Sequence, residues 1–113
     1  MKYLMFVATD PDAPAEVDET GVDEIDDWVQ RNDAAGTRLL GERLRPAATA
    51  TVVRRRGGKV VVTDGPFAET HEWIVGFDIL ECASLDEAVE IAARHPMAAS
   101  GRLELRAFWE DGE

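Results

Sequence analysis

Apolar and polar residues follow two kinds of pattern along the chain. Alternation among β-branched and aromatic residues predicts strands, and apolar residues every three or four positions predict helices. The predicted strands cover residues 2–8, 38–44, 51–56, 59–64, 73–82 and 103–109. The predicted helices cover residues 22–35 and a segment that begins at Leu85 and ends before Pro96.

Local signals support the ends of these elements. Gly36 suits the position after the first helix, and Gly57-Gly58 supplies the positive φ angles of a tight hairpin turn. Ser84-Leu85-Asp86-Glu87 is a capping box for the second helix. The apolar residues of the first helix, Val22, Ile25, Trp28 and Val29, keep helical spacing. The expected buried stripe of the second helix is Leu85, Ala88, Val89 and Ala92.

The element order β-α-β-(β-β)-β-α-β predicts an α+β fold. Two helices separated by strands favour a ferredoxin-like split β-α-β sheet with both helices on one face and an inserted β-hairpin. The strands carry apolar residues on their second face as well. Leu4, Phe6, Ile74 and Leu80 are expected there, so the sequence predicts a homodimer that covers this face.

Length and composition narrow the class of protein. The 113 residues fit a single domain over 1–113, with 45% apolar residues and no run long enough to span a membrane. The N-terminal apolar segment is too short for a signal peptide, and the lone Cys82 excludes an internal disulfide. We therefore expect a cytoplasmic protein with no membrane partner.

Charge is strongly negative and unevenly distributed. The net charge is −11, which argues against nucleic acid as a partner. Ten acidic residues lie between Asp10 and Asp33, where Arg31 is the only base. The predicted hairpin tip carries the opposite charge. It is solvated, contacts an acidic partner or nucleic acid, or docks on the acidic stretch of a partner subunit. Its bases are Arg54, Arg55, Arg56 and Lys59.

The most distinctive segment is Asp-Gly-Pro-Phe-Ala-Glu-Thr-His-Glu, at residues 64–72. It resembles the signature of the YCII-related family, in the branch named for its Asp-Gly-Pro-Phe motif. The element order and the closing Gly101-x-Leu-Glu-Leu-Arg106 stretch extend the resemblance over nearly the whole chain. The resemblance implies a dimeric α+β barrel, in which two ferredoxin-like sheets pack together. It also implies, for some members, an association with extracytoplasmic-function sigma factors.

Two residues of this segment are candidates for acid–base catalysis. Asp64 is either a base aimed into a cleft or a turn former whose carboxylate binds nearby backbone N–H groups. His71 stands where the family usually has Lys. It either transfers protons or forms an ion pair with its acidic neighbours. Candidate ligand-binding residues in the same loop are Phe67, Glu69 and Glu72.

Other chemistry-bearing residues have plainer explanations. Glu104 and Arg106 share one face of the last strand and either hold an anionic ligand or form an ion pair across the dimer interface. His95 is expected to be a protonated cap at the end of the second helix. Cys82 is expected to be a buried small hydrophobe. The histidines and acids lack metal-ligand spacing, so neither a metal nor another cofactor is expected.

Two functions from different classes fit these observations. The first is a small homodimeric protein that binds a small molecule near residues 64–72, with Asp64 and His71 available for proton transfer. The second is a non-catalytic accessory or regulatory protein that acts by association, for example in a sigma-factor circuit. An enclosed pocket favours the first function, and an exposed patch above a filled core favours the second.

Overall fold

Six strands and three α-helices build the fold in the computed structural model, which describes residues 1–65 and 73–110. The strands are β1 Lys2–Thr9, β2 Arg38–Arg43, β3 Thr51–Arg56, β4 Lys59–Asp64, β5 Ile74–Glu81 and β6 Gly101–Ala107. The helices are α1 Ile25–Ala35, α2 Leu85–Ala93 and α3 Met97–Ser100, and a 3₁₀ turn covers Ala47–Thr49. The predicted strands are confirmed, most of them to within one or two residues at each end.

Four of the strands form one antiparallel sheet in the order β2-β5-β1-β6. The strands β3 and β4 form a separate two-stranded sheet. The predicted hairpin insertion is therefore confirmed, and the hairpin lies outside the main sheet.

The hydrophobic core lies between one face of the main sheet and the helices. Trp28 of α1 is fully buried there, as are Ala88 and Ala92 of α2. The sheet contributes alternate residues of its two central strands, together with Cys82, which follows β5. These are Tyr3, Met5, Val7 and Leu80. Both α1 and α2 thus cover the same face of the sheet.

Two helical expectations differ from the structure. The first helix begins at Ile25 rather than Val22, because Glu24 has extended backbone angles and forms the N-cap. In α2 the residues Leu85 and Val89 are exposed, whereas Ile91 packs against the core. Small alanines let α2 approach the sheet closely, so the side of the helix that carries Leu85 and Val89 turns away.

The ends of the helices follow the predicted signals. Gly36 has a φ of 75° and its N–H bonds to the carbonyl groups of Asn32 and Asp33. Ser84 accepts a hydrogen bond from the Glu87 N–H at 3.2 Å, which is one of the two bonds of the predicted capping box. Pro96 ends α2 and introduces the short helix α3.

Two β-bulges change which face some residues occupy. One extra residue, Val75, lies in β5 opposite β1, so Ile74 falls on the sheet face away from the helices. The expectation that Leu80 shares that face is wrong, because Leu80 pairs with Tyr3 and is fully buried under the helices. The second bulge places one extra residue, Leu39, in β2 opposite β5.

The face away from the helices, here called the open face, carries large apolar side chains. Phe6 lies beside Phe77 and Glu104, and Leu4 lies beside Ile79 and Arg106. The four apolar residues are only partly buried. No helix of the described part of the chain is long and apolar enough to cross a membrane.

The hairpin turn generates a first prediction. Gly57 and Gly58 have φ angles of 57° and 77° between strands paired from Arg56–Lys59 onward. A β-branched residue cannot adopt this angle without strain, so Gly57→Val is expected to lower the free energy of unfolding by about 1–3 kcal/mol. Chemical denaturation measures the change. Gly57→Asn is the control, because asparagine tolerates positive φ, and an equal loss in both variants would contradict the assigned turn.

Candidate active site

A cavity of about 650 Å³ opens on the helix side of the sheet. It lies between the edge strand β2 and its neighbour β5 on one side and α1 with the α2–α3 corner on the other. Most of its wall is apolar, with Trp28, Val29 and Met97 among the lining residues. Both β-bulges border it, since Arg38 and Val75 also line the cavity. Bulges are over-represented next to active sites, where they re-aim side chains.

A buried carboxylate lies in the wall of this cavity. Asp78 is 6% exposed and occupies the helix-facing side of β5, beside Met5. Its Oδ1 accepts a hydrogen bond from Nε of Arg38 at 2.8 Å. Arg38 also donates to Asp33 at 3.0 Å and to the carbonyl oxygen of Gly41 at 3.0 Å. A buried charge needs such a partner, and Arg38 satisfies that requirement.

Burial lowers the pKa of Arg38, but its bonds to Asp78 and Asp33 raise the pKa by more, so the net shift is upward. The guanidinium therefore stays protonated and holds the Asp78 carboxylate in position. Gly41 is needed for this arrangement. A Cβ at that position would clash with Oδ1 of Asp78 and the Arg38 guanidinium.

His95 is the second polar group of the cavity. Its side chain is 5% exposed, and its Nδ1 accepts a hydrogen bond from the Met97 N–H at 3.0 Å. Burial lowers the pKa of His95, and the charge of Asp78 only partly opposes that shift. The imidazole is therefore neutral near pH 7, and with Nδ1 accepting, its proton is on Nε2. The expected protonated helix cap is wrong, because the folded chain removes this ring from water.

Trp28 fixes the position of His95. The two rings meet edge to face, with centroids 4.7 Å apart. The indole N–H donates to the carbonyl oxygen of Ile91 at 2.9 Å, which ties α1 to α2. Asn32 and Thr37 extend this network from the end of α1, because Thr37 donates to Asn32 and Asn32 donates to the Trp28 carbonyl.

Asp23 links the segment before α1 to the end of α2. Its backbone N–H bonds to the carbonyl oxygen of Arg94, and its carboxylate accepts two hydrogen bonds from the Arg94 side chain. Arg31 also binds this carboxylate. The bonds from Arg94 and Arg31 lower the pKa of Asp23 far below its usual range. The start of α1 is thereby fastened to the end of α2.

Two polar atoms of the cavity retain the capacity to bind a ligand. Among the described residues no buried side-chain nitrogen or oxygen lacks a hydrogen-bond partner. Oδ2 of Asp78 and Nε2 of His95 have no such partner within the described chain. Both atoms are therefore accessible to solvent, and the cavity provides that access. One acceptor and one donor thus face a largely apolar space.

This pair can support proton transfer. A carboxylate can remove a proton, and a neutral imidazole N–H can stabilise the negative charge that develops on a nearby oxygen. An imidazole kept neutral by its environment serves this electrophilic role in some enzymes. The arrangement thus suits a molecule that carries both an acidic C–H or O–H and a carbonyl oxygen.

Of the candidate residues in the loop at 64–72, Asp64 lies outside this cavity. Asp64 is exposed at the end of β4, opposite Thr51, and its carboxylate makes no hydrogen bond to a described residue. Phe67, Glu69, His71 and Glu72 lie outside the described residues. The pairing of Asp64 with His71 therefore stays a prediction.

Glu104 and Arg106 occupy the open face, as the alternation of β6 predicts. Leu103 and Leu105 pack against the core on the other side. Both charged residues are exposed, and neither forms an ion pair within the described part of the chain.

Sequence reasoning missed the residues that the cavity brings together. The sequence offered one signal for Asp78, which is the only charged residue among residues 73–80. A lone carboxylate on the core side of a strand needs a buried cation, and such pairs are frequent at functional sites. No spacing rule links it to Arg38, which is 40 residues away.

Cys82 is buried, as predicted. Burial, and to a smaller extent the charge of Glu87, raises the pKa of its thiol, so it is a poor nucleophile. Among the described residues no group of three or more histidine, cysteine or acidic side chains is arranged to hold a metal ion.

The buried imidazole generates a second prediction. The pKa of His95 is lower in the folded chain than in the unfolded chain, where it is about 6.5. As the pH falls below about 7, the unfolded state therefore binds more protons than the folded state does. The free energy of unfolding decreases as the pH falls. Denaturation at pH 7.5 and pH 5.5 is expected to give a smaller pH-dependent loss in His95→Gln than in the unmodified chain. The unmodified chain is the reference, and equal pH dependence in the two proteins would contradict the neutral assignment.

Comparison with known proteins identifies the family of this chain. The family model described as the YCII-related domain matches residues 1–110. An uncharacterised protein of Rhizobium meliloti (strain 1021) is 40% identical over 102 residues, which cover 80% of this chain and 82% of that protein. On this evidence the chain belongs to the YCII-related family.

Proposed function

We propose that this protein binds a small molecule in the cavity beside Asp78 and His95 and that this pair can transfer a proton on the bound molecule. The observation that carries the proposal is that one acceptor and one donor, neither with a hydrogen-bond partner among the described residues, belong to the wall of a single apolar cavity. A ligand that supplies the complementary donor and acceptor would satisfy both atoms.

The cavity also indicates what kind of ligand fits. Asp78 requires a donor, and His95 requires an acceptor such as a carbonyl oxygen. Trp28, Val29 and Met97 favour an apolar body, preferably a ring. Asp78 and Asp33 share one cation, Arg38, so the local charge disfavours an anionic ligand. A hydroxylated ring that carries a carbonyl group meets these requirements.

A hydroxyaryl amide tests the proposed site. The compound 4-hydroxybenzamide offers a phenol to Asp78 and a carbonyl oxygen to His95, with p-xylene as an apolar probe of similar shape. A fragment of this size is expected to bind with a Kd on the order of millimolar. Binding should shift the NMR signals of the Trp28 indole and the His95 imidazole, and p-xylene should bind more weakly.

Two isosteric variants separate the cavity from the loop site. Asp78→Asn removes the charged acceptor and is expected to weaken 4-hydroxybenzamide binding about tenfold. Asp64→Asn makes the same chemical change at the exposed end of β4 and should leave binding unchanged. If Asp64→Asn abolishes binding and Asp78→Asn does not, the site belongs to residues 64–72 instead. Melting curves of both variants check that they remain folded.

We also propose that the main sheet is a ferredoxin-like split β-α-β sheet and that the chain belongs to the family branch with the Asp-Gly-Pro-Phe motif. The strand order β2-β5-β1-β6, with both long helices on one face, supports the first statement. The sequence of residues 64–67 supports the second.

A homodimer through the open face completes the proposal. Leu4, Phe6, Phe77 and Ile79 form an apolar surface that neither α1 nor α2 covers. A contiguous apolar surface of this kind marks an interaction site in most proteins. Glu104 and Arg106 flank it, and a two-fold axis can bring each of them next to the oppositely charged residue of the other subunit.

The dimer is tested by its mass. Light scattering is expected to give twice the 12.4 kDa mass of one chain at micromolar concentration. Phe6→Glu places a charge in the centre of the open face and should give a monomer. Val89→Glu makes a similar change at an exposed apolar position on the helix side and should leave the dimer intact. A monomeric unmodified protein would refute the dimer.

A further inference from the structure

The β3–β4 hairpin extends from the rest of the chain without support. Among the described elements neither β3 nor β4 packs extensively against any element except the other. The radius of gyration is 16.3 Å, whereas a compact chain of this length is expected to have about 13 Å. A two-stranded hairpin alone is at best marginally stable in water. The hairpin therefore needs a covering partner.

One side of the hairpin is apolar and exposed. The register places Val53 opposite Val62, with Val60 next along the same side. Their exposed fractions are 64%, 59% and 55%. We call these three residues the valine face. They are large apolar residues on an element that has no core of its own.

The end of the hairpin is strongly basic. Arg54, Arg55, Arg56 and Lys59 lie next to the Gly-Gly turn, and we call them the basic tip. None of the four forms an ion pair with a carboxylate of the described residues. In a chain with a net charge of −11, four neighbouring cations that pair with no carboxylate of the described residues favour a contact with a second molecule.

We propose that the hairpin packs against a second copy of this chain. Its basic tip contacts the acidic stretch of that copy, residues 10–33. The proposal rests on the homodimer through the open face. Charge complementarity selects this occupant. The acidic stretch carries ten carboxylates, of which only Asp23 and Asp33 pair with arginines among the described residues.

The position and length of the hairpin agree with this contact. An apolar cavity of about 570 Å³ joins its root to the open face, lined on one side by Phe6 and Ile74 and on the other by Val52 and Val53. A second sheet packed on the open face would therefore adjoin the hairpin root. Strands of six residues reach about 20 Å, enough to pass a sheet packed about 10 Å away and reach its helix layer.

Charge exchange between two variants tests the proposal. The tip variant carries Arg54→Glu, Arg55→Glu and Arg56→Glu. The stretch variant carries Asp12→Lys, Glu16→Lys and Glu19→Lys. Each variant should form a homodimer with a dissociation constant about tenfold higher than that of the unmodified protein at low salt. An equimolar mixture should form heterodimers of restored affinity, because both contacts then join opposite charges.

A matched control excludes a general effect of net charge. Asp86→Lys, Glu87→Lys and Glu90→Lys on α2 give the same total charge as the stretch variant. This control should not pair preferentially with the tip variant. If the control pairs as well as the stretch variant does, the proposed contact is refuted. Circular dichroism verifies folding, and Arg54→Gln, Arg55→Gln and Arg56→Gln replace the tip variant if it unfolds.

Salt provides a second measurement on the unmodified protein. Screening should weaken its dimer between 0.05 and 0.5 M NaCl by a factor of about ten, whereas the dimer of the tip variant, in which the contact joins like charges, should become stronger. A dimer that responds neither to salt nor to the tip substitutions refutes the contact between the hairpin and the second copy, and it remains consistent with a dimer through the open face. A monomer refutes the dimer itself. Retention of labelled duplex DNA by the basic tip, with an unaffected dimer, would assign the tip to nucleic acid and overturn the proposal.

Discussion

The burial of Trp28 holds the layers of this protein together. Its side chain is fully enclosed between α1, α2 and the sheet, and its indole N–H bonds to the main chain of α2 at Ile91. The same ring meets the edge of His95. A large aromatic side chain stabilises the core through its buried area, and its single donor fixes the orientation. The helices, the corner that carries His95 and the wall of the cavity all depend on this one residue.

The cavity exists because polar groups were placed on the core side of the sheet. Asp78 interrupts an apolar face, so the packing of Met5 and Leu80 cannot continue toward β2. Arg38 reaches the carboxylate from the edge strand, and Gly41 leaves room for both side chains. A buried ion pair is weak evidence for stability, since apolar residues of similar size would pack as well or better. Its presence next to a neutral imidazole favours a role in binding.

Two surfaces of the chain lack a covering element among those described, and they differ in composition. The open face is a broad apolar sheet surface, whereas the hairpin combines the valine face with the basic tip. In the proposed dimer, the apolar surface supplies the free energy of association, and the charges determine the relative orientation of the subunits. The cavity and the open face lie on opposite sides of β5, so the proposed ligand site and the proposed dimer interface do not overlap.

The sequence contains a recognisable motif of the family but no motif at the polar residues of the cavity. The motif at residues 64–72 suggested Asp64 as a site residue, because Asp-Gly-Pro-Phe is a distinctive sequence. Asp78 and His95 belong to no such motif. Their relation is set by a strand on one side of the cavity and a helix end on the other. His95 was expected to be protonated because sequence reveals its position at a helix end and not its burial.

The sequence by itself determined the order of the elements, the hairpin and its turn, and the layer in which Trp28 lies. These features follow from periodicity and from residues with special backbone angles, such as Gly36 and Gly57, which act over a few positions. Only the tertiary structure showed that Val75 and Leu39 are extra residues in β-bulges. A bulge reverses which face of the sheet the following residues occupy, and the pattern of apolar and polar residues does not reveal where it lies. The tertiary structure also brought Arg38 to Asp78, since contacts between residues distant in sequence depend on strand register.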